Sequence, residues 1–304
     1  MLLVFIAILL RILSNPVANV FQKRLTQGGI AALKVNAISY TLLSVACIAL
    51  ALPVDWASLS AEFWLWAIVA GVFGAVGNGF LVKALEHGDL SILGPINSYK
   101  SIVGMVVGIV LLGEVPSLLG LLGVAVIIAG SYFVFDTTEE GFTWALLRNQ
   151  EIRYRIYAMV LTAIEAVFIK KVILLSDATT SFIVWCWFGA LFAWMQVQAM
   201  TLGKGKQPDM ATLAATTRLN ASAGSRWLHV GGLFLLLALC IGTMQFTTNY
   251  VFRHIPVGYG LALFQLSTIV SVLLGYRLFH EGGIAKKLLG SVIMIAGSVL
   301  IIFG

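Results

Sequence analysis

The chain has 304 residues, 60% of them hydrophobic and 11% charged, with a mean hydropathy of +0.99. A soluble domain of this length cannot hide so much apolar surface, so the composition excludes a soluble globular protein. A net charge of +6 would suggest nucleic acid in a soluble chain, but these cations sit in short loops between apolar runs, no nucleic-acid-binding motif appears, and membrane orientation accounts for them.

The apolar runs are about 20 residues long, the length that crosses a hydrocarbon core of about 30 Å as helix. Strand-type alternation is absent, which argues against a barrel. Ten spans are predicted, over 2–21, 34–53, 63–84, 90–112, 117–135, 156–175, 179–201, 228–251, 258–279 and 285–303. The first run lacks a basic leader and a small-residue cleavage site before Arg11, so it reads as a retained helix and not a signal peptide. Cys47, Cys186 and Cys240 lie inside apolar runs without metal or disulfide spacing and read as packing residues.

In the first span Arg11, Asn15, Asn19 and Gln22 recur at intervals of four, four and three, which stacks them on one face that cannot point at lipid. Pro16 removes a backbone donor from the same helix and predicts a kink. Asn78 adds a polar group to the third span. The fourth begins Gly94-Pro95-Ile96-Asn97-Ser98-Tyr99-Lys100; Pro95 marks a second kink, and Asn97, Lys100, Ser101 and Gly104 follow on one face.

Between spans five and six, Asp136 to Arg155 mixes acids and bases around an apolar 142–147 segment and reads as a linker with a short interfacial helix. Glu165 lies inside the sixth span and Gln245 inside the eighth. The loop from Gly203 to Arg226 is rich in Ala, Thr, Ser and Gly, and its Asn220-Ala221-Ser222 fits a glycosylation pattern common by chance. Trp187 and Trp194, seven apart, predict an interface or lipid-facing stripe on the seventh span.

Arg11, Lys100 and Glu165 each stand about nine or ten residues into their spans, roughly 14–15 Å deep at about 1.5 Å per residue. Three ionisable groups at one level imply a shared polar cavity with one positive charge in excess, which a bound anion balances. For Lys100 two readings stand: substrate binding or coupling, and a structural cation paired with Glu165 or with carbonyls freed by Pro95. Glu165 is a proton-coupling candidate or a structural partner. Asn15, Asn19, Asn78, Asn97 and Gln245 line the cavity or make interhelical hydrogen bonds, worth roughly 0.6 kcal/mol each.

A single offset of 167 residues maps Gly108, Glu114, Gly123, Ala129, Gly130 and Ser131 onto Gly275, Glu281, Gly290, Ala296, Gly297 and Ser298. A gap-free match of spacing and type implies an internal duplication. Glu114 and Glu281, at helix ends, read as loop anchors, and the glycines as packing or dimer surface.

Ala84-Leu85 before a short loop, Pro95 early in the fourth helix, Gly113-Glu114 closing it, the glycine-spaced helix from Gly120 to Ser131, and the echo in His280-Glu281 and Gly290 to Ser298 resemble the ten-helix EamA-type transporters of the drug/metabolite transporter superfamily. The resemblance implies an all-α integral membrane fold of ten transmembrane helices in two inverted five-helix repeats, 1–135 and 156–304 joined by the 136–155 linker, with a central cavity and alternating access. Family members often have a tryptophan where this chain has Leu9-Leu10-Arg11, and Ala262 stands where the offset matches Pro95, so the halves differ around the cavity. The resemblance also implies cytoplasmic termini. Thirteen loop cations then fall outside against three inside, the reverse of the positive-inside bias.

The expectation is a multi-pass plasma-membrane carrier of a small polar metabolite, anionic or zwitterionic, bound by Arg11, Asn15, Asn19, Asn78, Asn97, Lys100 and Gln245. Its partners are that metabolite and the lipid bilayer, with a homodimer open and no metal or cofactor. Alternatives are an exporter of cationic or amphiphilic compounds with Glu165 as counter-charge, and a lipid-phosphate flippase component or non-transporting membrane partner. No nucleophile–base pair, metal cluster or cofactor motif points to an enzyme.

Overall fold

The structure, a computed structural model, describes residues 2–88, 93, 96–135, 148–202, 223–280 and 284–303. Pro95, Glu281, the 136–147 segment and Asn220 lie outside the described residues. Those described form an all-helical chain: α1 (Leu2–Gln27), α2 (Ala32–Ala51), α3 (Ala61–His87), α4 (Lys100–Leu112, entered through a 3-10 turn at Asn97–Tyr99), α5 (Leu118–Phe135), α6 (Gln150–Leu175), α7 (Ala178–Leu202), α8 (Ala223–His254), α9 (Val257–Phe279) and α10 (Ile284–Phe303). The ninth is broken at Gln265-Leu266 into Val257–Phe264 and Ser267–Phe279.

Among the described residues, six helices (α1, α2, α3, α7, α8 and α9) are long and apolar enough to cross a membrane. Leu118, Val110, Leu239 and Leu235 lie fully outward, an apolar exterior that suits lipid and would be a liability in water.

The 167-residue offset recurs in the backbone. Helix α3 ends at His87 and α8 at His254. Helix α4 is closed by Gly113 in the left-handed region (φ +67°), and α9 by His280 in the same region (φ +56°). Glycine adopts that conformation without strain, whereas histidine does so less readily. The turn into α4 likewise falls in register with the break in α9.

The most extensive helix contacts join α1 with α8, α2 with α7, α3 with α6 and α5 with α10. In the last pair a Cβ on Gly130 would lie 2.7 Å from the Gly290 carbonyl, and one on Gly297 would lie 2.5 Å from the Gly123 carbonyl. The contact is reciprocal, so these glycines serve packing within the chain, and the dimer-surface reading does not suit them.

Three local expectations are corrected. Helix α6 starts at Gln150, about a turn and a half before the expected span, because the charged residues that looked like linker extend the helix; Arg155 is buried within it. Lys23 is also buried, its ammonium 4.3 Å from the centroid of the Phe279 ring, and Lys170 is buried in α6, so none of the three is a loop cation. Trp187 stacks on Trp56 at 5.3 Å and donates to the Ser44 carbonyl at 3.3 Å, so it packs inward and does not face lipid. Helix α1 continues through Pro16, whose side chain is buried.

Candidate functional site

The residues singled out by type and depth, Arg11, Asn15, Asn19, Asn78, Asn97, Lys100, Glu165 and Gln245, all line one central cavity. Its walls come from every helix except α5 and α10, and the space it encloses, opening included, is about 960 Å³. Ile169, Phe252, Leu261 and Phe264, all buried, close one end as an apolar floor.

Glu165 sits where α3 and α6 meet. A Cβ on Gly74 would collide with its Oε1, so the missing side chain is what lets the carboxylate lie against α3. The same oxygen accepts from Trp185 Nε1 at 2.7 Å. Among the described residues no ion pair within contact distance joins Glu165 to Lys100. The two lie within electrostatic range, as do Arg11 and Arg155 with Lys100.

Arg11 is held by an Nε bond to Thr248 Oγ1 at 2.8 Å and by the Phe264 ring, whose centroid is 4.9 Å from the guanidinium carbon. Its Nη1 is buried without a partner. Asn78 bonds Tyr40 Oη and the Gly74 carbonyl, each at 2.9 Å, and the amides of Gln245 and Asn249 pair at 2.9 Å. These two are therefore committed to interhelical or local bonds. Among the described residues no side-chain hydrogen bond holds Asn15, Asn19, Asn97 or Lys100, which leaves their donors turned to the cavity.

Arg155 also lines the cavity, with its Nε donating to the Leu93 carbonyl at 2.8 Å. Sequence reading missed it because Glu151, Arg153 and Arg155 look like a solvated linker; ten-residue spacing to Glu165 on one helix was the available signal. Gln22, whose Oε1 is buried and unpartnered, completes the α1 stripe. Among the described residues three cations thus face one carboxylate, an excess of two positive charges. In apolar surroundings such an excess is costly unless something balances it.

Below the floor a second polar group serves the fold. Glu114 Oε2 accepts from the Val257 backbone N–H at 2.8 Å, and its Oε1 lies 3.8 Å from Lys170 Nζ. Lys170 in turn donates to the carbonyls of Phe252 and of Ile255, the latter at 3.1 Å. Glu114 is an anchor, as its position at a helix end predicts.

A stripe of amides and cations inside apolar helices, with glycine-paired α5 and α10 outside it, is the setting in which the comparison with known proteins is informative. Residues 2–136 match the EamA-like transporter family. The EamA match is consistent with the drug/metabolite transporter superfamily, and together with the six apolar helices it indicates a multi-pass membrane protein. No curated protein matches the chain. A crystal structure of a protein, otherwise undescribed, is similar with a TM-score of 0.68 and 17% identity, over 98% of this chain and 94% of that one. At such identity the likeness speaks for the fold alone.

Proposed function

We propose that this protein is a ten-span secondary carrier, built from two inverted five-helix repeats, that moves a small anionic or zwitterionic metabolite across the plasma membrane by alternating access. The observation that carries this reading is the central cavity in which Arg11, Lys100 and Arg155 face the single carboxylate of Glu165. Guanidinium groups grip carboxylates or phosphates through two donors, and the free amides of Asn15, Asn19 and Asn97 supply neutral contacts. Glu165 carries the coupling proton in this scheme.

The test is a thermal-shift screen of purified protein against anionic, zwitterionic and cationic metabolites, run beside Lys100→Met. A ligand at about a hundred times its dissociation constant stabilises by about 2.7 kcal/mol. The expected result is stabilisation by an anion or zwitterion that Lys100→Met abolishes. Stabilisation by cations alone, or an equal response in the variant, rejects the reading. Glu165→Gln is expected to abolish proton-driven uptake, and its survival rejects the proton role.

A further inference from the structure

The cations of the cavity form a column, not a cluster. On α6, Arg155 precedes Glu165 by ten residues, about 15 Å at 1.5 Å per residue. Helical side chains lean toward their helix N-terminus, so Arg155 leans away from Glu165 and away from the floor. Arg11 leans the other way, onto Thr248 and Phe264 at the floor. Lys100 lies between, in electrostatic range of both arginines.

The polar stripe of α1 runs parallel to this column. Its two ends, Arg11 Nη1 and Gln22 Oε1, belong to side chains only 8% and 4% exposed, and both atoms lack a partner. Between them Asn15 and Asn19 face the same cavity, with no side-chain hydrogen bond among the described residues. A buried donor left unmade is costly, so Arg11 Nη1 calls for an acceptor at the floor, whereas Gln22 Oε1 is itself an acceptor and speaks for no anion at its end; the case for a second anionic group rests on Arg155.

Resting on the transport reading above, we infer that the substrate is an elongated dianion with one anionic group at each end, held at the floor by Arg11 and toward the opposite end by Arg155, with Lys100 between. Two separated negative charges match the excess of two positive ones. A zwitterion would leave that excess untouched, and a monoanion would leave one charge of it. A phosphate monoester puts both charges at one end and leaves the far arginine unanswered.

The test uses purified full-length protein and ligands of one length differing only in charge: adipate, hexanoate, 6-aminohexanoate and hexylamine, with α,ω-dicarboxylates of four to eight carbons and glycerol 3-phosphate alongside. Dissociation constants come from concentration-dependent thermal shifts. One dicarboxylate is expected to bind about tenfold or more tightly than its monocarboxylate, equivalent to about 1.4 kcal/mol. Arg155→Gln is expected to erase that difference, and Arg155→Lys to retain it. Should Arg155→Gln not fold, the ligand series on the wild type and Arg155→Lys decides.

The inference is overturned if 6-aminohexanoate or glycerol 3-phosphate binds as well as the best dicarboxylate, if Arg155→Gln keeps the preference, or if nothing in the panel binds. Binding by 6-aminohexanoate alone rejects the dianion and leaves the transport reading standing. Binding by hexylamine alone removes both.

Discussion

Substituting Gly74 by alanine places a methyl where the Glu165 carboxylate now lies. The colliding atom ends a side chain and can move, but moving it breaks the 2.7 Å bond from Trp185. A hydrogen bond to a charged group is worth about 1.5–3 kcal/mol. Against this, alanine is about 1 kcal/mol better than glycine inside a helix. The net expectation is a loss of about 0.5–2 kcal/mol, or on the order of 1–4 °C in melting temperature for a chain of this size. In a Glu165→Ala background the obstacle is gone and only the propensity gain remains, so the same substitution should raise the melting temperature. A four-member cycle of purified proteins in one detergent measures this reversal. If Gly74→Ala has the same effect in both backgrounds, the account of how the carboxylate is seated is wrong.

The reciprocal α5–α10 contact predicts that Gly130→Val and Gly297→Val each destabilise by about 1–3 kcal/mol, through overpacking against a backbone carbonyl that cannot step aside. Similar losses at the two sites are expected in thermal unfolding, and tolerance at either one contradicts the paired contact. At the floor, Lys170→Met strands the Glu114 carboxylate and leaves the Phe252 carbonyl without this donor, a loss of about 3–5 kcal/mol. Glu114→Gln keeps an acceptor for the Val257 N–H and should cost less; the reverse ranking in the same assay counts against the proposed division of roles.

Periodicity and depth made much of this legible. The stripe on α1 and the cost of burying Lys100 and Glu165 picked out eight residues that line one cavity, because in lipid a polar side chain has few places to go. The offset between halves reappears in helix ends at His87 and His254 because backbone geometry follows glycine and apolar spacing. What stayed hidden depends on contacts between distant segments. No pattern announces that Trp185 would supply Glu165 with a donor, or that Gly74 would leave room for it. Arg155 was hidden differently: alternating charges at a helix start resemble a water-facing linker, and only the burial of Arg155 itself within α6 distinguishes them.

The Glu114–Lys170 group brackets the turn between α8 and α9, satisfying backbone groups at Phe252, Ile255 and Val257. Parting α4 and α6 from that turn would expose those groups to an apolar medium. Three charge-assisted bonds forgone, at about 1.5–3 kcal/mol each, amount to roughly 4.5–9 kcal/mol. An equilibrium biased by about 3 kcal/mol holds its minor form below about 1%. In the proposed cycle the carrier therefore rests almost entirely in one orientation, with or without cargo. The turn that lies under the cavity floor thereby sets which face the resting carrier presents.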